Sequence, residues 1–165
     1  MKNFIKADQK LPLFGIGPYL IWGMLLIDVL AVILAVYVFR IGTVDGAGRS
    51  IFWGIGALLI ILGITIWVSG ALRSGMKENI SENKLKTDGI YAWVRNPMYS
   101  GLWILFTGVT FLWNNVPVLV AIPVNWLLMT AVLSRTEERW LLDLYGEEYE
   151  TYKRSVNRCI PWKRA

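Results

Sequence analysis

The sequence contains no histidine and a single cysteine, Cys159. Without histidine there is no Ser-His-Asp triad, no His-based metal site and no HExxH hydrolase. One cysteine makes neither an internal disulfide nor a multi-cysteine metal cage. Charge is also sparse: 18% of the 165 residues are charged and 55% are apolar, with a mean hydropathy of +0.46. That is too apolar for an ordinary soluble domain and too long for a single span, so composition predicts a small all-α polytopic membrane protein. No convincing repeat or low-complexity segment divides the chain, which reads as one domain over residues 1–165. The net charge of +5 does not point to nucleic acid, because the basic residues flank apolar runs instead of forming a block. The expected partner is the lipid bilayer, with no nucleic acid and no metal.

Apolar runs cover residues 19–39, 51–69, 99–113 and 116–133. A helix crosses a bilayer in roughly 20 residues, so four spans are expected, the last two being the shorter. Only Asn114 and Asn115 separate the third run from the fourth, with Pro117 just beyond, which predicts a tight helical hairpin. Lys2, Lys6 and Lys10 precede the first run, and Arg40 and Arg49 lie between the first and second. Five further Lys and Arg fall in 71–98 and seven follow Leu133. With four crossings, fifteen basic residues share one side and two the other, which predicts cytoplasmic termini by the positive-inside rule. Trp22, Trp53, Trp67 and Trp113 fall near span ends, where amphipathic rings favour the headgroup region. The first run is too long for a signal-peptide core and lacks a clear cleavage site, so it is expected to be retained.

The basic side therefore carries the informative segments, 71–98 and the tail from Ser134. In the tail, Trp140, Leu141, Leu144, Tyr145, Tyr149 and Tyr152 recur mostly at three- and four-residue spacing, which predicts an amphipathic helix that Gly146 interrupts. Within Arg95-Asn96-Pro97-Met98-Tyr99, Asn is a strong N-cap and Pro suits the first helical position, so the motif has a purely structural reading. Glu137 and Glu138, just past the fourth run, read equally as a solvated helix face. Asp28 lies mid-span, where an ionisable group is costly and faces a bundle interior or cavity. Function and a structural bond to a neighbouring helix are both open for it.

Taken in order, several motifs resemble one family. They are Lys84-Leu85-Lys86-Thr87-Asp88-Gly89-Ile90-Tyr91, Arg95-Asn96-Pro97-Met98-Tyr99-Ser100-Gly101, a helical hairpin, Glu137-Glu138, and Tyr145-Gly146-Glu147-Glu148-Tyr149-Glu150-Thr151-Tyr152. Together they are similar to the C-terminal half of the isoprenylcysteine carboxyl methyltransferases, in a superfamily that also includes the phospholipid N-methyltransferases. The resemblance places a cofactor-binding half over residues 83–161 and implies S-adenosylmethionine as methyl donor, leaving S-adenosylhomocysteine. Carried over by position, the donor site would comprise Asn83, Lys84, Leu85, Lys86, Tyr91, Asn96, Pro97, Met98, Tyr99 and Glu137. The lipophilic acceptor, a prenylated or phospholipid molecule, would enter sideways between helices.

Two departures bear on the acceptor. Asn96 stands where the carboxyl methyltransferases usually have His, a variant similar to the phosphatidylethanolamine methyltransferases. Leu133 stands where they carry an Arg suited to a substrate carboxylate; the nearest Arg is Arg135, about 200° away around a helix of 3.6 residues per turn. Arg135 is thus the candidate substrate residue, though not a simple substitute. A carboxylate acceptor needs no base, whereas an ammonium must first lose a proton, and Glu138, Tyr99 or water are the candidates. A membrane NADPH-dependent sterol reductase has a comparable aromatic and Pro-containing C-terminal signature, but Glu-Glu and Gly-Glu-Glu-Tyr fit the methyltransferases better. A four-helix proton-coupled exporter would use Asp28 but needs neither the long basic loop nor the structured tail.

Overall fold

The chain builds helices wherever its apolar runs allow, because in hydrocarbon only intrahelical bonds satisfy the backbone. Residues 16–72 and 84–160 are described by the computed structural model, and every regular element among them is helical. Helix α1 is Gly17–Val32, with Pro18 in its first turn, and it continues as a π-helical segment Ile33–Val38. Helix α2 is Ala47–Ala71 and α3 is Pro97–Leu112. A 3₁₀ turn, Pro117–Val120, leads into α4, Ala121–Arg135. The tail forms α5, Glu137–Tyr145, and α6, Glu147–Ser155. The segments Gly17–Val38, Ala47–Ala71 and Pro117–Tyr145 are long and apolar enough to cross a membrane, and Pro97–Leu112 is shorter. At 1.5 Å per residue α3 reaches about 24 Å, short of a hydrocarbon core of roughly 30 Å.

Helices α2 and α3 touch backbone to backbone. Gly56, Gly63 and Gly70 recur at every seventh position of α2, and Gly101 and Gly108 do so on α3. A Cβ on Gly63 would lie 2.6 Å from the Gly101 carbonyl oxygen, and one on Gly108 would lie 2.7 Å from that of Gly56. Small residues are what let membrane helices approach this closely. On the other side of α3, α1 packs on α4 through Leu20, Met24, Met129 and Leu133, joined by Tyr99 and Cys159. Buried within this contact, Asn125 Nδ2 donates to Asp28 Oδ1 at 2.8 Å. Leu26, Leu30, Leu58 and Ile61 remain exposed, an apolar exterior that suits a bilayer and would be a liability in water.

At one end of the bundle the predicted Asn-Asn turn clasps the α1–α2 loop. The Val44 amide donates to the Asn114 carbonyl at 2.7 Å, the Val116 amide to that of Gly42 at 2.9 Å, and Asn115 Nδ2 to that of Ile41 at 2.7 Å. At the opposite end the chain kinks at Thr136 (φ −121°, ψ −91°), and Gly146 breaks α5 from α6 with φ +53°, a left-handed conformation that favours glycine. Tyr149 and Tyr152 bury against Leu85, Leu141, Leu142 and Tyr145. Trp140, expected on the same apolar face, is left exposed.

Candidate functional site

The strip leading into α3 and the strip leaving α6 hold each other in a short parallel pairing. The Arg95 amide donates to the Asn157 carbonyl at 2.9 Å and the Asn96 amide to the Arg158 carbonyl at 3.0 Å. Asn96 adds a side-chain bond, Nδ2 to the same Arg158 carbonyl at 3.2 Å. This corrects the capping reading: Pro97 does occupy the first turn, but the Asn96 side chain makes no cap bond and is spent on the tail. The tail is fastened a second time where the Tyr152 hydroxyl donates to the Tyr91 carbonyl at 2.6 Å.

The pairing brings three charges together. Arg158 grips Glu138 with Nε at 2.7 Å and Nη2 at 2.8 Å, and Arg95 Nη2 lies 3.0 Å from the same carboxylate. Glu138 is 4% exposed and Arg95 8%, so the carboxylate and one guanidinium are out of water, which only close pairing makes tolerable. Arg95 also donates to the Tyr149 hydroxyl at 3.4 Å and lies over its ring. Bonding to Glu138 holds the Arg158 guanidinium above its ordinary range, while burial pushes the Tyr149 hydroxyl up and the Cys159 thiol up to about 12. Beside this cluster lies a cavity of about 370 Å³ between α4 and the terminal strip, lined by Arg95, Trp126, Thr130, Arg158, Cys159 and Ile160, with Asn157. Its size falls within the ~300–1,000 Å³ of small-molecule pockets.

Successive helical residues are about 100° apart, and Glu137 accordingly serves other partners. Its Oε1 accepts the Tyr99 hydroxyl at 2.5 Å and the Ile16 amide at 3.1 Å. Of the sequence-derived set, Asn96 and Glu138 converge through Arg158, and Tyr99 and Glu137 converge with each other. Pro97 and Met98 lie against Gly70, whose carbonyl accepts the Tyr91 hydroxyl at 3.4 Å. Leu85 packs on the tyrosines of α6, Lys86 pairs with Asp88 at 2.7 Å, and Lys84 is exposed. Asn83 lies outside the described residues. Arg135 is exposed at the end of α4 and joins neither cluster.

Sequence reasoning missed Arg158, Trp126 and Thr130. The only signal for Arg158 was a basic residue next to the lone cysteine. The site's chemistry suits a small polar molecule with an anionic end. Two guanidiniums share one carboxylate, and among the described residues no acidic side chain lines the cavity and the buried Arg95 Nε has no partner. Trp126 supplies an aromatic ring and Thr130 a hydroxyl beside that charge. Of the groups of S-adenosylmethionine, the carboxylate would suit the guanidiniums, and the adenine and sulfonium would suit the Trp126 ring.

Comparison with known proteins bears on the same segments. The chain is 38% identical over 81 residues to the protein-S-isoprenylcysteine O-methyltransferase of Schizosaccharomyces pombe, which is 48% of this chain and 34% of that protein. It is 31% identical over 117 residues to that of Saccharomyces cerevisiae, 66% of this chain and 48% of the relative. Over 82 residues it is 33% identical to methanethiol S-methyltransferase 1 of Bradyrhizobium diazoefficiens, 50% of this chain and 28% of the relative. The matches thus cover less than half the length of each of these relatives. No solved structure matches significantly. The family profile described as phospholipid methyltransferase matches residues 52–148, from α2 through the Glu137-Glu138 pair to the start of α6. Over more than half its length, then, the chain belongs to the phospholipid methyltransferase family, in the superfamily that includes the isoprenylcysteine methyltransferases.

Proposed function

We propose that the chain is an integral-membrane methyltransferase that uses S-adenosylmethionine and acts on a lipophilic acceptor, with four crossings and cytoplasmic termini. The observation that carries this reading is the Arg95–Glu138–Arg158 cluster, set beside a cavity by the mutual pairing of the Asn-Pro-Met-Tyr entry and the tail. The donor would lie at the cytoplasmic ends of α3 and α4. Arg95, Trp126 and Arg158 would line its site, and Asn96 of the sequence-derived set would brace that wall through its bond to the Arg158 carbonyl, whereas Tyr91, Pro97, Met98 and Tyr99 do not line this cavity.

When bound, S-adenosylmethionine supplies a methyl group already activated by its sulfonium. The chain's task is then to align the acceptor, exclude water and take up a proton where the acceptor has one. Glu138, with both oxygens bonded to guanidiniums, is suited to fixing Arg95 and Arg158 in place. Among the described residues Glu137 has only neutral donors, so the Tyr99–Glu137 pair is the better proton acceptor: a proton taken by the phenolic oxygen is matched by one passed to the carboxylate. The sequence-derived roles of the two glutamates are thereby exchanged. Buried Leu133, exposed Arg135 and Asn96 in place of His all favour an acceptor other than a prenylcysteine carboxylate.

Binding tests this first. S-adenosylhomocysteine should raise the melting temperature of the purified protein in detergent, since a ligand of the folded state stabilises it by mass action. No shift and no calorimetric heat at millimolar ligand would remove the reading. A methylation screen over prenylcysteine analogues, aminophospholipids and thiols then identifies the acceptor.

A further inference from the structure

The cationic wall of the cavity is more charged than its own ion pairs require. Glu138 offers one negative charge to two guanidiniums, and Lys153 is a third cation close enough to act on it. Arg158 commits Nε and Nη2 to Glu138, and its side chain remains 25% exposed, so part of the guanidinium is open to the cavity it lines. Arg95 pairs with the same carboxylate, and its buried Nε has no partner among the described residues. An excess cation at the wall of a partly open pocket is stabilised by an anion, and guanidinium geometry selects planar or tetrahedral oxyanions.

We infer that Arg158, backed by Arg95 and oriented by Glu138, forms a subsite for the α-carboxylate of the methyl donor's amino-acid end. This rests on the donor reading above. A lipid phosphate shares the oxyanion chemistry, but two features favour the donor. The backbone that carries Arg158 is bonded by Asn96, the residue that opens the donor motif, so an anion at Arg158 lies next to that motif. The remaining cavity wall also offers a hydroxyl at Thr130 and an indole at Trp126, which match a small polar aromatic molecule better than an acyl chain.

The test compares two ligands on the full chain in detergent by calorimetry: S-adenosylhomocysteine and its decarboxylated analogue, which retains the amine. A charge-assisted contact predicts about tenfold or more weaker binding of the analogue to the wild type. It also predicts that Arg158→Gln weakens S-adenosylhomocysteine by about the same factor while leaving the analogue within about threefold. The ligand comparison needs no variant, so it stands even if Arg158→Gln fails to fold. Equal affinities of the wild type for both ligands overturn the subsite and leave the donor reading intact. Binding of neither overturns both. In a third arm, displacement of S-adenosylhomocysteine by submicellar short-chain phosphatidic acid, with no carboxylate preference, overturns the inference and assigns the wall to a lipid phosphate.

Discussion

Tyr99 donates its phenolic hydrogen to Glu137 Oε1 at 2.5 Å, and the same oxygen caps the backbone amide of Ile16 at 3.1 Å. One carboxylate oxygen thereby ties the first turn of α3 to the start of α1 and the start of α5. Its neighbour Glu138 is committed to two guanidiniums instead. Two adjacent acids thus have separable chemistry, which the following substitutions distinguish.

Tyr99→Phe keeps the ring in the core beside Leu20 and Met129 and removes only the hydroxyl. With an ammonium or thiol acceptor, which must lose a proton, kcat should fall on the order of 10²–10⁴-fold, while the Kd for S-adenosylhomocysteine changes by less than about threefold. With a carboxylate acceptor the rate should hold. Equal losses with both acceptor kinds would make Tyr99 a positioning residue and refute the proton role.

Glu138→Gln leaves two guanidiniums, one of them buried, facing a neutral amide. Breaking a buried pair in this way costs roughly 3–5 kcal/mol, so a large drop in Tm is expected. Glu148→Gln, on an exposed position of α6, should change stability by no more than about 0.5 kcal/mol. Identical melting of the two variants would show that the buried ion cluster is not formed.

The parts legible in the sequence were those set by local chemistry. Apolar run length gave the helices, Asn114 and Asn115 gave the turn, and Gly146 gave the break in the tail. What stayed hidden depended on distant partners. Asn96 looked like a cap because cap propensity is local, yet a carbonyl 62 residues away takes its side chain. Arg158 carried no signal of its own, because its meaning comes from Glu138, 20 residues earlier. The seven-residue spacing of Gly56, Gly63 and Gly70 has meaning only through the matching Gly101 and Gly108 on α3, which make it an interface.

That interface makes two glycines of one helix respond in opposite directions. A Cβ on Gly63 meets backbone on α3 at 2.6 Å, so Gly63→Ala must push α2 and α3 apart, at about 1–3 kcal/mol. A Cβ on Gly54 meets nothing within 4 Å, so Gly54→Ala should gain roughly 0.5–1 kcal/mol from helix preference alone. Thermal unfolding in detergent reads both, and a matching sign for the two would contradict the packing.

Asp28 and Asn125 should behave as a structural pair. Asn125 Nδ2 donates to Asp28 at 2.8 Å, and both side chains are buried between α1 and α4. A double-mutant cycle with Asp28→Ala and Asn125→Ala should give a coupling of about 0.6 kcal/mol, the mean for such bonds in membranes, and no more than about 1.7 kcal/mol. Donor affinity should be unchanged in each variant that folds. Zero coupling, or loss of donor binding with intact folding, would reopen a functional role for Asp28.

Orientation in the bilayer can be tested by labelling from each side. Of the 17 Lys and Arg, only Arg40 and Arg49 fall between the first two apolar runs, so the loop carrying Gly46 should be outside and the tail carrying Glu148 inside. The bonds of Asn114 and Asn115 to residues 41–44 place the α3–α4 turn at the same end as that loop, as two outside loops of a four-span chain require. Introduced thiols report this cleanly because Cys159 is 3% exposed and burial holds its pKa at about 12. A raised thiol pKa favours the neutral form, so at pH 8 the thiolate fraction needed for reaction is small. With an impermeant maleimide on intact cells, Gly46→Cys should label, whereas Glu148→Cys should label only after permeabilisation, and the wild type should label in neither case. Labelling of both variants from outside would rule out a four-span arrangement with the tail inside, and with it the cytoplasmic supply of donor that the proposed site requires.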